Sequence, residues 1–130
     1  MKGNSLSEQT RLEKPWGYEV IWADSSADPG YIGKLIYVRS GHRLSKQYHE
    51  KKEETIFIKS GNLTLETFGD IRDGKFMQKK KVLLMSPGDF FHIPPFLAHR
   101  FVAEAEDVEI IEVSTKQLWD VVRIEDDYGR

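Results

Sequence analysis

Cysteine is absent from this 130-residue chain. Its absence excludes disulfide staples and thiolate zinc sites, so any metal held here must take nitrogen and oxygen donors. Long apolar runs are missing too: none approaches the roughly 20 residues of a membrane-spanning helix, and Met1 to Thr10 is polar without an apolar stretch. A soluble, cytoplasmic protein with no membrane partner is therefore expected. Charge of one sign is also lacking, because 19 basic and 21 acidic residues are interspersed to a formal net charge of −2. No broad electropositive surface results, and nucleic acid is not an expected partner. The basic triplet Lys79-Lys80-Lys81 reads as a solvated strand edge guarded against pairing.

Amphipathic helices are scarce as well, with Ser114 to Trp119 offering one helical turn at most. The pattern that is present has period two. Trp16 to Trp22, Gly33 to Arg39, Thr55 to Ile58, Leu63 to Phe68, Phe76-Met77, Val82 to Met85, Phe90 to Ile93, His99 to Val102, Val108 to Val113 and Val121 to Ile124 read as short strands. Turn compositions such as Asp28-Pro29-Gly30, Ser60-Gly61-Asn62, Asp73-Gly74 and Ser86-Pro87-Gly88-Asp89 separate them. About ten short strands imply an all-β sandwich or barrel. Residues 1–13 read as a flexible or docked arm and 14–130 as a single domain, large enough to bury roughly two-thirds of its unfolded surface. Ile56, Ile58, Leu63, Leu65, Phe91, Ile93 and Phe101 are expected to fill the barrel. Alternation puts Ile93 inside and His92 outside.

Most of the chemistry lies between Gly41 and Gly61. Gln47 and His49 are two apart and share a face in extended chain. Glu50 to Glu53 reads as a charged hairpin tip, and Glu54 opens the return strand beside His49. An amide oxygen, an imidazole and a carboxylate then converge as a partial ligand set for a divalent transition metal. A second constellation, Gly88, Pro94 and His99, starts and ends a strand and puts an imidazole at the head of the next one. His99 alone fits a hydrogen-bonded structural histidine or a ligand.

Together the two stretches resemble the cupin superfamily. Gly41, Gln47, His49, Glu54 and Gly61 occupy its first motif, with glutamine in the first histidine place. Gly88, Pro94 and His99 occupy its second, which departs at Phe96 and Ala103. The resemblance implies a double-stranded β-helix, a jelly-roll-like barrel, with Gln47, His49, Glu54 and His99 binding one divalent ion (Zn, Mn, Fe, Co or Ni) at its mouth. Within the superfamily the chain is similar to the type II phosphomannose isomerase (mannose-6-phosphate isomerase) domain. Lys14-Pro15-Trp16-Gly17-Tyr18-Glu19-Val20, Leu44-Ser45, His99-Arg100, Ile111-Glu112-Val113 and Val122-Arg123 through Asp127-Tyr128-Gly129-Arg130 carry that similarity. Lys52 and Thr55 stand where that family commonly has arginine and histidine.

This likeness implies a metal-dependent aldose–ketose isomerase acting on a small sugar or sugar phosphate, with mannose 6-phosphate to fructose 6-phosphate the leading pair. The alternatives are other metal chemistry, as in an iron-dependent oxygenase or a free-sugar isomerase using lyxose or mannose, or a non-catalytic sugar-binding module. Lys52 and Arg100 are candidates to steer phosphate or an enediolate, or else solvent-facing residues. Alternation turns Arg100 away from the interior. Trp16 and Trp22 are expected to cover a barrel end or a subunit contact, and exposed strand edges suggest a homodimer. Imidazoles bind metal only as neutral bases. Metal content followed through an acid titration should therefore fall as pH drops through roughly 6.5; content that persists well into acid would exclude histidine ligands.

Overall fold

The computed structural model of the protein describes residues 10–72, 75–76, 79–117 and 120–130. Its strands form two antiparallel sheets. The first has six strands in the order β1 (Thr10–Lys14), β2 (Gly17–Asp24), β3 (Ile32–Val38), β12 (Val108–Ser114), β6 (Glu54–Ser60) and β10 (Phe90–Ile93). The second runs β13 (Val122–Glu125), β5 (Lys46–Tyr48), β11 (Leu97–Ala103), β7 (Leu63–Arg72) and β8 (Lys75–Phe76). In addition, β4 (His42–Arg43) pairs with β11, and β9 (Lys81–Met85) pairs with β7. The all-β barrel expected from the period-two pattern is the observed architecture.

Alternation explains how the barrel fills. Glu54, Ile56 and Ile58 of β6 are buried, and so are Val108, Ile110, Glu112 and Ser114 of β12. Those inner faces meet Leu63, Leu65, Phe101, Ala103 and Met85 from the second sheet in one apolar core. Every expected core residue is there, with Phe91 at its partly buried margin. Ile93 is inside, while His92 is exposed and pairs with Glu53 at 2.5 Å. Trp16 is buried in the core, whereas Trp22 is half exposed and lies flat against Gly33, where a Cβ would come within 2.6 Å of the indole.

Three points of the sequence reading are answered in the structure. Residues 10–13, read as part of a flexible or docked arm, pair with β2 from Thr10↔Ile21 to Glu13↔Tyr18, so this portion takes the docked form, as an edge strand. Glu50 to Glu53 is not a hairpin tip. The flanking strands lie in different sheets, β5 between β13 and β11 and β6 between β12 and β10, so the charged segment crosses from one layer to the other. Asp120 makes this possible: its carboxylate accepts the backbone N–H groups of Glu50, Lys51 and Lys52 at 3.2, 2.6 and 2.8 Å. Ser114 ends β12 rather than opening a helical turn, and Leu118 and Trp119 lie outside the described residues. The Phe76-Met77 strand piece is seen as Lys75–Phe76; Met77 and the Asp73-Gly74 turn lie outside the described residues.

Gly61 joins β6 to β7 across the two layers with φ +76°, and a Cβ there would sit 2.2 Å from the Asp107 carbonyl oxygen. Only glycine tolerates both the left-handed backbone and that approach. Among the described residues no helix is long and apolar enough to cross a membrane.

Candidate metal centre and cavity

Because β5 and β6 lie in opposite layers, His49, just after β5, and Glu54, at the start of β6, reach the same point from opposite sheets, and β11 brings His99 to it. The imidazole Nε2 atoms of His49 and His99 lie 3.4 and 3.3 Å from Glu54 Oε1. Their rings are 5.5 Å apart, centre to centre. Each histidine is anchored from behind: His49 Nδ1–H donates to the Asp120 carbonyl at 2.5 Å, and His99 Nδ1–H donates to the Leu97 carbonyl at 2.9 Å. A carbonyl only accepts, so the Nδ1 proton is fixed and each neutral ring turns the Nε2 lone pair inward, the tautomer a metal needs.

His49 Nε2, His99 Nε2 and Glu54 Oε2 are buried without any hydrogen-bond partner. One ligand atom from each of these residues falls within a 4.8 Å cluster. Buried polar atoms seldom go unpaired. Three of them converging, two with lone pairs aimed inward, fit a divalent ion with nitrogen and oxygen ligands. Gln47 stands directly across from His99 in the β5–β11 register. Its Oε1 accepts from Ser45 Oγ at 2.7 Å, leaving a second lone pair free.

Lys52 is also drawn in. Its ammonium is buried, 3.3 Å from Glu54 Oε2 and 3.5 Å from Glu112 Oε2. Burial acts to lower its pKa, but the charges of Glu112 and Glu54 outweigh this and raise it. The two carboxyls flank the same ammonium and shift in opposite directions. Burial and the charge of Glu54 push Glu112 well above the carboxylate range. Glu54 feels the same burial, yet its neighbours Glu112, His49, His99 and the Lys52 ammonium hold it well below.

A cavity of about 330 Å³ opens onto this cluster, lined by Gln47, His49, Lys52 and Glu112 along with Trp16, Glu19, Lys34 and Arg123. Arg123, Gln47 and His99 are successive partners across β13, β5 and β11, so their side chains share the inner face. Arg100 is not brought here. Its Nε donates to the Leu44 carbonyl at 2.9 Å and an Nη to the Glu125 carbonyl at 3.1 Å, tying the C-terminal strand to the outer face of β11. The alternation argument that turned it outward is what the structure shows, but the side chain is buried rather than solvent-facing.

Glu112, Asp120 and Arg123 were missed as site residues. Glu112 had a legible signal, since it lies in phase with Val108 and Ile110 on a strand whose inner face is apolar. Arg123 needed the β13–β5 register, and Asp120 acts through a contact 71 residues away in sequence, which no local pattern reveals.

A family model described as D-lyxose isomerase matches residues 21–120. The chain belongs to this family, and to the cupin superfamily. Among relatives of this D-lyxose isomerase family member, the xanthan biosynthesis protein XanB of Xanthomonas campestris pv. campestris (strain B100) is 32% identical over 139 residues. The alignment takes in 100% of this chain but 26% of XanB, so the chain spans about a quarter of that relative's length. Of solved structures, the capsular polysaccharide assembling protein CapF from Staphylococcus aureus superposes with a TM-score of 0.73 at 13% identity, covering 91% of this chain and 34% of CapF. An oxalate decarboxylase from Bacillus subtilis, studied for its Mn(II) centres, gives 0.71 at 20% identity, covering 89% and 30%. At these identities the two structures speak to the fold alone.

Lys52 compensates two buried carboxyls. Replacing it by methionine should cost the metal-free protein about 3–5 kcal/mol, the range for stranding a buried charge. Urea unfolding of the metal-free variant measures this, and a loss below about 1 kcal/mol would show that the pair does not depend on Lys52.

Proposed function

We propose that this protein is a metal-dependent aldose–ketose isomerase whose leading substrate pair is mannose 6-phosphate and fructose 6-phosphate. The observation that carries the reading is the convergence of three unpartnered ligand atoms, from His49, Glu54 and His99, beside a cavity of about 330 Å³. That volume lies at the small end of ligand pockets and suits a monosaccharide. Membership of a sugar isomerase family and the likeness to XanB support it.

His49, Glu54 and His99 would hold the ion, with Gln47 as the fourth ligand; zinc, manganese, iron, cobalt and nickel all suit such donors. When bound, a divalent ion supplies Lewis acidity, polarising a carbonyl and its neighbouring hydroxyl so that the C–H between them is more acidic. The chain's own residues do the rest. Nδ1 anchoring by Asp120 and Leu97 keeps both imidazoles in place. Apart from the ligand His49, Glu112 and Lys52 are the titratable cavity residues adjoining Glu54, which puts Glu112 in position to carry the proton between C1 and C2 and Lys52 to face the enediolate's negative charge. Lys14 and Arg123 line the cavity, and among the described residues neither is engaged in an ion pair. They are the cations for a phosphate group, a role Arg100 is placed too far outside to take.

A second reading, isomerisation of a free aldose such as D-lyxose, is favoured by the matching family model. A homodimer in the cytoplasm belongs to either reading; the outer face of the six-stranded sheet, where Trp22, Phe57, Phe90 and Val113 are exposed, is the surface a second copy would cover.

Metal analysis together with a coupled fructose 6-phosphate assay tests the proposal. The wild-type protein should bind about one ion per chain and turn over mannose 6-phosphate faster than D-lyxose or D-mannose. His49→Ala and His99→Ala should lose both metal and turnover. Faster turnover of the free sugar would select the second reading, and a metal-loaded protein inert on every aldose and ketose would sink both.

A further inference from the structure

The cavity has a second polar wall that the isomerisation chemistry does not use. It comes from the start of the six-stranded sheet. Trp16, between β1 and β2, lines the cavity and is 2% exposed, and its indole N–H is buried without an acceptor. Glu19 on β2 and Lys34 on β3 line the same cavity. Their charged ends are 3.5 Å apart, with side chains 12% and 11% exposed. The register explains their meeting. Glu19 faces Ile36 and Lys34 faces Ile21, so both point to the inner side as diagonal neighbours, and Lys34 stands across from Glu112 on β12.

Each of these groups is costly where it sits. A buried N–H that finds no acceptor forfeits the water it gave up, and a nearly dry ion pair rarely repays its own desolvation. An apolar core would accept a phenylalanine in place of Trp16 and aliphatic residues in place of the other two. What the trio offers instead is a fixed set of donors and an acceptor along one wall of the cavity. A sugar presents the complement: hydroxyls that both donate and accept. None of the three belongs to the His49–Glu54–His99 cluster, so the wall can hold the part of a substrate remote from the reacting carbons.

We propose that Trp16, Glu19 and Lys34 form a hydroxyl-reading subsite that positions the polyol chain of the sugar, with the Trp16 N–H donating to one substrate hydroxyl oxygen. The proposal rests on the isomerase reading and deepens it: the three are positioning and specificity residues. Remote binding of this kind fixes the reacting end in register, and its loss shows chiefly in affinity.

Two variants test this on the metal-loaded protein. Trp16→Phe keeps the ring and removes the N–H; Glu19→Gln keeps the shape and removes the charge. Calorimetric Kd values for mannose 6-phosphate and D-lyxose, KM and kcat for whichever sugar turns over, and a thermal melt are measured for each variant. Either variant that melts like wild type should raise Kd and KM about tenfold, with kcat changed less than about threefold. Single-deoxy analogues add a readout that mere structural damage would not reproduce: one of them should bind wild type more weakly than its parent sugar, yet bind Trp16→Phe as well as the parent does. Unchanged Kd and KM in both variants, with wild type active, overturn the subsite and leave the isomerase reading intact. Wild type that binds a sugar without converting it overturns the isomerase reading, and the Kd comparison still decides the subsite. Wild type that binds no sugar overturns both.

Discussion

One buried negative charge organises this molecule. Glu54 begins β6 with its carboxylate out of water, and an isolated ion there would carry a penalty far beyond the net stability of a domain this size. The fold answers by surrounding it. Two imidazoles approach one oxygen and the Lys52 ammonium approaches the other, lying within 3.5 Å of Glu112 as well. The compensation is incomplete, because among the described residues five buried side-chain atoms, four of them in or beside this cluster, still lack hydrogen-bond partners. A domain selected only for stability would place aliphatic side chains here. Retaining an under-satisfied, pre-oriented donor set is what a site awaiting an ion and a substrate requires.

The layering of strands makes that arrangement possible. The short crossing from β5 to β6 places His49 and Glu54 in opposite walls only five residues apart, and Asp120 pins that crossing with its carboxylate while its carbonyl orients His49. Burial works against the ionised form of the Asp120 carboxyl, but the amides of Lys52, Lys51 and Glu50 win and lower its pKa. Arg100 acts in the same spirit from the other side of β11, fastening Leu44 and Glu125 so that β4, β5 and β13 stay in register with His99. Local geometry at the cluster thus depends on contacts whose partners are far apart in sequence.

That dependence divides what was legible from what was not. Period-two alternation placed Ile56, Ile58, Ile93 and Phe101 inside and His92 outside, since burial along a strand follows directly from side-chain direction. Motif spacing brought Gln47, His49, Glu54 and His99 into one reading, and the structure gathers the two histidines and the glutamate at one point with Gln47 beside them. Strand partners were another matter. Nothing in Glu50 to Glu53 distinguishes a hairpin from a crossing between sheets, because both want solvated, charged residues. The inward turn of Lys52 follows from carboxylates on two other strands. Glu112 stood in plain phase with core residues, yet its alternation of apolar and acidic neighbours fits an amphipathic surface strand equally well until β3 and β6 are known to flank it.

The central claim is that the His49–Glu54–His99 cluster is a metal centre facing a sugar cavity. A crystal grown with a divalent ion, examined by anomalous scattering at that metal's absorption edge, tests it most directly. The account predicts a single strong peak within roughly 2.0–2.3 Å of both Nε2 atoms and a Glu54 oxygen, with Gln47 completing the set. A metal bound elsewhere on the chain, or an empty cluster closed by histidine–glutamate hydrogen bonds under saturating metal, would contradict it.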